Sequence, residues 1–168
     1  MESLVNDIQI LNNFPELIIV NNSNQFLDVS EYQKYFDNIS VISGFGNIDK
    51  NLSKEEYKHQ LATMLADSYN IILEKSTGEL IRLREDDITS ANNSFSKLYN
   101  FITEENNLGK KLIGVCGVYM NRYNPNIDNM VNRIVPETQP QFTKVEYTGT
   151  GYIIFWKETA PYFNANES

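Results

Sequence analysis

The stretch that decides the fold lies near the C-terminus, where residues 142–157 read FTKVEYTGTGYIIFWK. A Gly-containing turn at 148–151 separates two β-prone segments, 142–147 and 152–157, and predicts a C-terminal β-hairpin. The first segment alternates apolar and charged residues, so one of its faces is expected to be exposed to solvent. The second begins Tyr-Ile-Ile-Phe-Trp and is apolar on both faces. One of these faces is expected to pack on the chain's own helices, and the other needs a second layer or a partner chain.

Two long helices are predicted upstream of this hairpin. The first covers 54–69, where Ser53 and Glu56 have the spacing of a capping box. The second begins near 89–90 and ends near Gly109, a residue type that favours a helix end. Their predicted inner faces carry Tyr57, Leu61, Met64, Leu65 and Ser68, and Phe95, Leu98, Phe101 and Ile102. Shorter helices are predicted at 3–12, 30–36 and 127–134.

The β patterns are compact apolar runs between turn-forming residues. Residues 16–20 and 39–43 are predicted strands, and the longest apolar run, 112–120, is predicted to be a buried central strand.

Residues 70–75 and 79–84 flank Ser76-Thr77-Gly78, which predicts a second hairpin. The alternative is that the preceding helix continues to Glu74. Strict alternation of strands and helices is absent, so the predicted class is α+β, with helices packed on a largely antiparallel sheet and a C-terminal β-hairpin. One domain spanning residues 1–168 is predicted.

The charge balance limits the partners. The chain has 22 Asp and Glu against 14 Lys and Arg, a net charge of −8. This acidity disfavours nucleic acid as the main partner, because it repels phosphate groups. The acidic N-terminus and the absence of a long apolar run predict a protein that is cytoplasmic at synthesis and has no membrane partner. Abundant Asn and Ile with little Ala indicate AT-rich codons, compatible with a phage, a virus, a parasite or an AT-rich bacterium.

Few residues are suited to catalysis or metal binding. The one histidine, His59, is predicted on the solvent side of a helix, and the one cysteine, Cys116, lies mid-strand. Gly114 and Gly117, on either side of Cys116, suggest close backbone approach, a bulge or packing against a helix. Gly44-Phe45-Gly46 lacks the third glycine of a dinucleotide fingerprint and is predicted to be a turn.

The densest acidic cluster is Glu85-Asp86-Asp87. Such carboxylates suit the start of a helix, where the dipole favours negative charge. Cation binding by this cluster stays open as an alternative. No cofactor and no metal site is predicted.

Aromatic residues are the remaining feature. Several cluster late in the chain, and five are predicted to form a protein-binding surface: Tyr147, Tyr152, Trp156, Tyr162 and Phe163. Tyrosine and tryptophan are enriched at protein interfaces because they bury a large area and keep a polar group. The alternative is that they form ordinary hydrophobic core.

Three functions compete on these observations. The sequence favours a non-enzymatic protein-binding or assembly component that binds a protein partner or itself, such as a virion or connector subunit of a phage. The alternative is an acidic inhibitor or immunity-type protein that blocks a target. An enzyme is the least favoured class, because no reactive constellation is recognisable.

Overall fold

The described residues form five strands, two α-helices and two 3-10 helices. The computed structural model describes residues 4–5, 8, 14–85, 94–109, 114–116, 152–160 and 162–163. The strands are β1 (Glu16–Asn21), β2 (Asn38–Ser43), β3 (Leu80–Arg84), β4 (Gly114–Cys116) and β5 (Tyr152–Trp156). The helices are α1 (Lys54–Lys75), α2 (Ser94–Asn107) and two 3-10 helices, Ser30–Tyr35 and Lys157–Thr159. The mixed α+β class is therefore confirmed.

Strands β1 and β2 form a parallel pair, with Cα partners from Glu16–Asn38 to Asn21–Ser43. Parallel strands require a connection that returns the chain to the starting end. Residues 22–37 provide it and contain the first 3-10 helix. The prediction of a largely antiparallel sheet was wrong for these two strands, because sequence patterns do not show the direction in which a connection returns.

The other sheet is antiparallel, with the order β3-β5-β4. Strand β5 pairs with β3 along its whole length. Its residues 153–155 also pair with β4. Of these three described strands, β5 is the central one. Residues 114–116 of the strand predicted at 112–120 form β4, and the rest of that prediction lies outside the described residues. The other strand of the predicted C-terminal hairpin, 142–147, lies outside the described residues.

Both faces of β5 are covered by the chain itself. On one face, Ile154 is 1% exposed and belongs to a core with Phe95, Leu98 and Ile102 of α2. On the other face, Phe155 is 4% exposed and belongs to a core with Tyr69 of α1. The antiparallel sheet is thus enclosed between two helices, and the second face of β5 needs no partner chain.

The predicted hairpin of 70–75 and 79–84 was wrong, and the alternative of a continued helix holds. Helix α1 begins at the predicted capping box, where Ser53 N donates to Glu56 Oε2 at 3.0 Å and Glu56 N to Ser53 Oγ at 3.3 Å. It runs on to Lys75 because Ile72 and Leu73 pack on the antiparallel sheet. Strand β3 pairs with β5 instead.

The remaining helix predictions fall partly within the described residues. Leu4, Val5 and Ile8 are helical, and the last two are buried. Helix α2 is followed by Gly109, whose φ of 77° lies in the left-handed region expected after a helix end. The start predicted at 89–90 and the helix predicted at 127–134 lie outside the described residues.

Gly114 provides a test of the antiparallel sheet. A Cβ atom at this position would lie 2.7 Å from the Ile154 carbonyl oxygen and 2.8 Å from Phe155 Cβ. The predicted close approach of backbone is thus confirmed. We expect Gly114→Ala to reduce the free energy of unfolding by about 1–3 kcal/mol, because β4 must move away from β5. Urea denaturation followed by circular dichroism measures this change.

The matched control is Gly78→Ala. A Cβ there would meet no atom closer than 3.8 Å, and its φ is not positive. It should leave stability unchanged within about 1 kcal/mol. Equal stability of the two variants would contradict the close packing of β4 on β5.

Candidate functional site

The structure describes the side chains of three of the five predicted binding residues, Trp156, Tyr162 and Phe163. Tyr147 lies outside the described residues, and so does the side chain of Tyr152, although its backbone belongs to β5. Trp156 packs against the core beside α2, and its indole Nε1 is buried. Phe163 packs against the core beside α1. Tyr162 is 78% exposed and is the one of these three side chains that lies mainly in solvent.

The position of Tyr162 follows from the neighbouring residue. Phe163 N donates to Asn70 Oδ1 at 3.0 Å, and Asn70 Nδ2 donates to the Phe163 carbonyl oxygen at 2.9 Å. The Phe163 ring lies 5.2 Å from the Tyr69 ring, centroid to centroid. These contacts attach the C-terminal segment to α1 with Phe163 directed inward. Tyr162 is left on the solvent side.

Tyr162 borders a groove of about 650 Å³, here called the C-terminal groove. One wall is a stripe of α1 whose members have the spacing i, i+3, i+4 and i+7: Asp67, Asn70, Ile71 and Glu74. The other lining residues are Phe45, Leu73, Lys157, Ala160 and Tyr162. Phe45 is 53% exposed, so two accessible aromatic rings flank the groove.

Three charged side chains border this groove, the carboxylates of Asp67 and Glu74 and the ammonium group of Lys157. The Glu74 side chain is 70% exposed and forms an ion pair with Lys75 at 2.8 Å. The hydrogen bond from Lys75 and the positive charge of its ammonium group hold the pKa of Glu74 below its ordinary value, so Glu74 is ionised at neutral pH. Lys157 directs its Nζ to the Ser76 carbonyl oxygen at the end of α1. The groove therefore suits a ligand that combines apolar and basic groups.

Phe45 is held in place by an asparagine from the end of β1. Phe45 N donates to Asn22 Oδ1 at 3.0 Å, and Asn22 Nδ2 donates to Ser68 Oγ of α1 at 3.3 Å. A Cβ atom at Gly44 would lie 2.0 Å from Asn22 Oδ1, so the contact requires glycine. The Gly44-Phe45-Gly46 turn predicted from the sequence thus holds the aromatic side chain of Phe45 in solvent. The feature of the sequence that could have identified Phe45 as a surface residue is its place between two glycines.

A second groove, of about 760 Å³, lies at the carboxyl end of the parallel pair and is here called the strand groove. Phe26 (92% exposed), Leu27 (39%) and Val41 (40%) contribute apolar surface to it. Asp28 is the one charged residue among the residues that line it. The backbone N–H of Ser30, and then its hydroxyl, hold the pKa of the Asp28 carboxyl below its ordinary value. This groove has one charged lining residue, whereas the C-terminal groove has three.

The other candidates from the sequence are placed as follows. His59 is exposed on α1, as predicted, and Cys116 lies on β4, with its side chain outside the described part. Glu85 Oε1 accepts a hydrogen bond from the Tyr69 hydroxyl at 2.8 Å, whereas Asp86 and Asp87 lie outside the described residues. Among the residues that the structure describes, no three His, Cys, Asp or Glu side chains are grouped as ligands for a metal ion.

None of the described helices combines the length and the apolar character that crossing a membrane requires. Comparison with known proteins found no matching family model, no similar curated protein and no similar solved structure. The two grooves are therefore interpreted from their own residues.

The attachment of the C-terminal segment can be tested at Asn70. Asn70→Ala removes both hydrogen bonds to the Phe163 backbone. We expect it to reduce the free energy of unfolding by about 1–3 kcal/mol, since a half-buried backbone pair loses its partners. Hydrogen exchange at the Phe163 amide should become faster. Urea denaturation and hydrogen-exchange mass spectrometry give the two measurements.

Asn100→Ala is the matched control, because Asn100 is an exposed helical asparagine whose side chain makes no hydrogen bond in the described part of the chain. It should change neither quantity appreciably. Unchanged exchange at Phe163 in the Asn70 variant would show that the pair does not hold the segment.

Proposed function

We propose that this protein is a non-enzymatic protein-binding or assembly component, and that its C-terminal groove binds a basic segment of a partner protein. One observation carries the proposal: the exposed rings of Phe45 and Tyr162 flank an α1 stripe that carries Asp67 and Glu74. Aromatic side chains provide large contact area at interfaces, and carboxylates select basic groups.

The chemistry of the groove favours a peptide segment over a small metabolite. Its volume of about 650 Å³ is within the range of small-molecule sites, roughly 300–1,000 Å³. However, Tyr162 is 78% exposed and Glu74 70% exposed, so a small molecule would remain in contact with water. A chain segment that lies along α1 can cover both rings at once. The net charge of −8 adds long-range attraction for a basic partner.

A second function draws support from the same groove. An acidic inhibitor or immunity-type protein needs carboxylates that converge on one surface. Asp67 and Glu74 lie seven residues apart, two helical turns, and border the same groove. In this function the partner is a basic target whose activity is blocked by binding. The inhibitor and the assembly component would use the same binding surface. They differ in the result of binding, because only the inhibitor blocks the activity of its partner.

The setting that we propose for an assembly role is a viral particle, as a virion or connector subunit. Its support is compositional, namely the abundance of Asn and Ile and the scarcity of Ala. The acidic charge also supports a protein, and not nucleic acid, as the main partner.

An array of 12-residue peptides tests the binding proposal. We expect peptides with two or more Lys or Arg and one aromatic residue to bind, and peptides with Glu in place of the basic residues not to bind. Raising NaCl from 50 to 500 mM should weaken binding, because charge pairs are screened. Fluorescence anisotropy with the best labelled peptide then gives Kd.

Tyr162→Ala should raise this Kd at least about tenfold, as expected for an aromatic interface anchor. Phe14→Ala is the matched control, because Phe14 is 67% exposed and does not border the groove. If no peptide binds, or if both variants bind like the original chain, the proposed site is wrong.

A further inference from the structure

Among the residues that the structure describes, β2 pairs on one edge only, with β1. Besides this pairing, β2 makes one hydrogen bond among the described residues, from Asn38 Nδ2 to Ser40 Oγ. No described residue pairs with the backbone N–H and C=O groups on the other edge of β2, and these groups can accept a further strand.

This edge lacks the usual protection against strand pairing. Natural edge strands carry charged residues, especially Lys, or proline, or a bulge. Strand β2 reads NISVIS, with none of these residues, and its pairing with β1 is continuous over all six positions. This unprotected edge favours pairing with a further strand.

The charge distribution indicates what that neighbour is. Residues 38–48 contain no charged side chain, although the chain as a whole has a net charge of −8. The strand groove beside β2 includes one charged residue, Asp28. Apart from Asp28, a charged partner would find no complementary charge among these residues. Two copies of an acidic chain, by contrast, repel each other least where both surfaces are neutral.

We propose that β2 pairs with β2 of a second copy of this chain, antiparallel and across a twofold axis. Antiparallel pairing joins the two parallel pairs into one four-stranded sheet. A register centred on Val41 places this residue opposite its own copy, with Ile39 opposite Ser43, and keeps both strand grooves on one face of the sheet. Val41 is 40% exposed in the single chain and becomes covered. This dimer is independent of the C-terminal groove.

Light scattering coupled to size exclusion tests the dimer over a concentration series. We expect a mass of twice 19.4 kDa, and no weakening as NaCl is raised from 50 to 500 mM, because the interface is neutral. Val41→Lys should shift the protein to monomer or raise the dimer Kd at least about tenfold, since like charges would face each other across the axis.

Tyr57→Lys is the matched control, because Tyr57 of α1 is 41% exposed, against 40% for Val41. It should remain dimeric. A monomer at every concentration for the original chain, or an unchanged dimer for Val41→Lys, would overturn the proposal. Peptide binding at the C-terminal groove should be unchanged in Val41→Lys, so failure of this proposal is distinguishable from failure of the proposed function.

Disulfide formation gives a second measurement that does not depend on how well the lysine variant folds. Cβ atoms of residues directly opposite in an antiparallel pair lie about 4.5–5.5 Å apart, close enough for a disulfide after a small adjustment. Val41→Cys should form a covalent dimer on mild oxidation. Tyr57→Cys, with the same exposure, should not. Equal cross-linking of both variants would contradict pairing through β2.

Discussion

The burial of both faces of β5 is the constraint on which the rest of the structure depends. Ile154 and Phe155 point to opposite sides of the sheet and are 1% and 4% exposed. Covering them requires one helix on each side, and α1 and α2 supply these. The chain satisfies this requirement itself, so Ile154 and Phe155 belong to the two cores. The exposed aromatic side chains that the two cores leave outside include Phe45 and Tyr162.

Local signals in the sequence predicted the elements that local chemistry determines. The capping box of Ser53 and Glu56 and the glycine after α2 depend on residues within one turn of each other, and both are present. The end of α1 is different, because Ile72 and Leu73 suit a helix and a strand equally well. Their state is decided by packing on an antiparallel sheet that includes β5, more than 75 residues later. The parallel pairing of β1 and β2 was missed for a similar reason.

The candidate site could be predicted only in part. Composition identified the aromatic residues near the C-terminus, but it did not show which are exposed. Trp156 and Phe163 pack against the cores, whereas Tyr162 is exposed. The orientation of the segment with Tyr162 and Phe163 depends on Asn70, which pairs with the Phe163 backbone from 93 positions away. The acidic residues appeared scattered along the sequence. Asp67 and Glu74 share a groove because the helix extends past the predicted end at residue 69.

The two grooves meet at one loop, and this has a consequence for the proposed dimer. Gly44 and Gly46 border the strand groove, while Phe45 between them borders the C-terminal groove. Asn22 ties this loop to α1, so both surfaces are built on the same support. The proposed dimer would carry two C-terminal grooves. A partner with two basic segments, or a partner that is itself oligomeric, would then bind both grooves, and the second contact would be intramolecular. Weak binding at each groove would be sufficient for a stable assembly in that case.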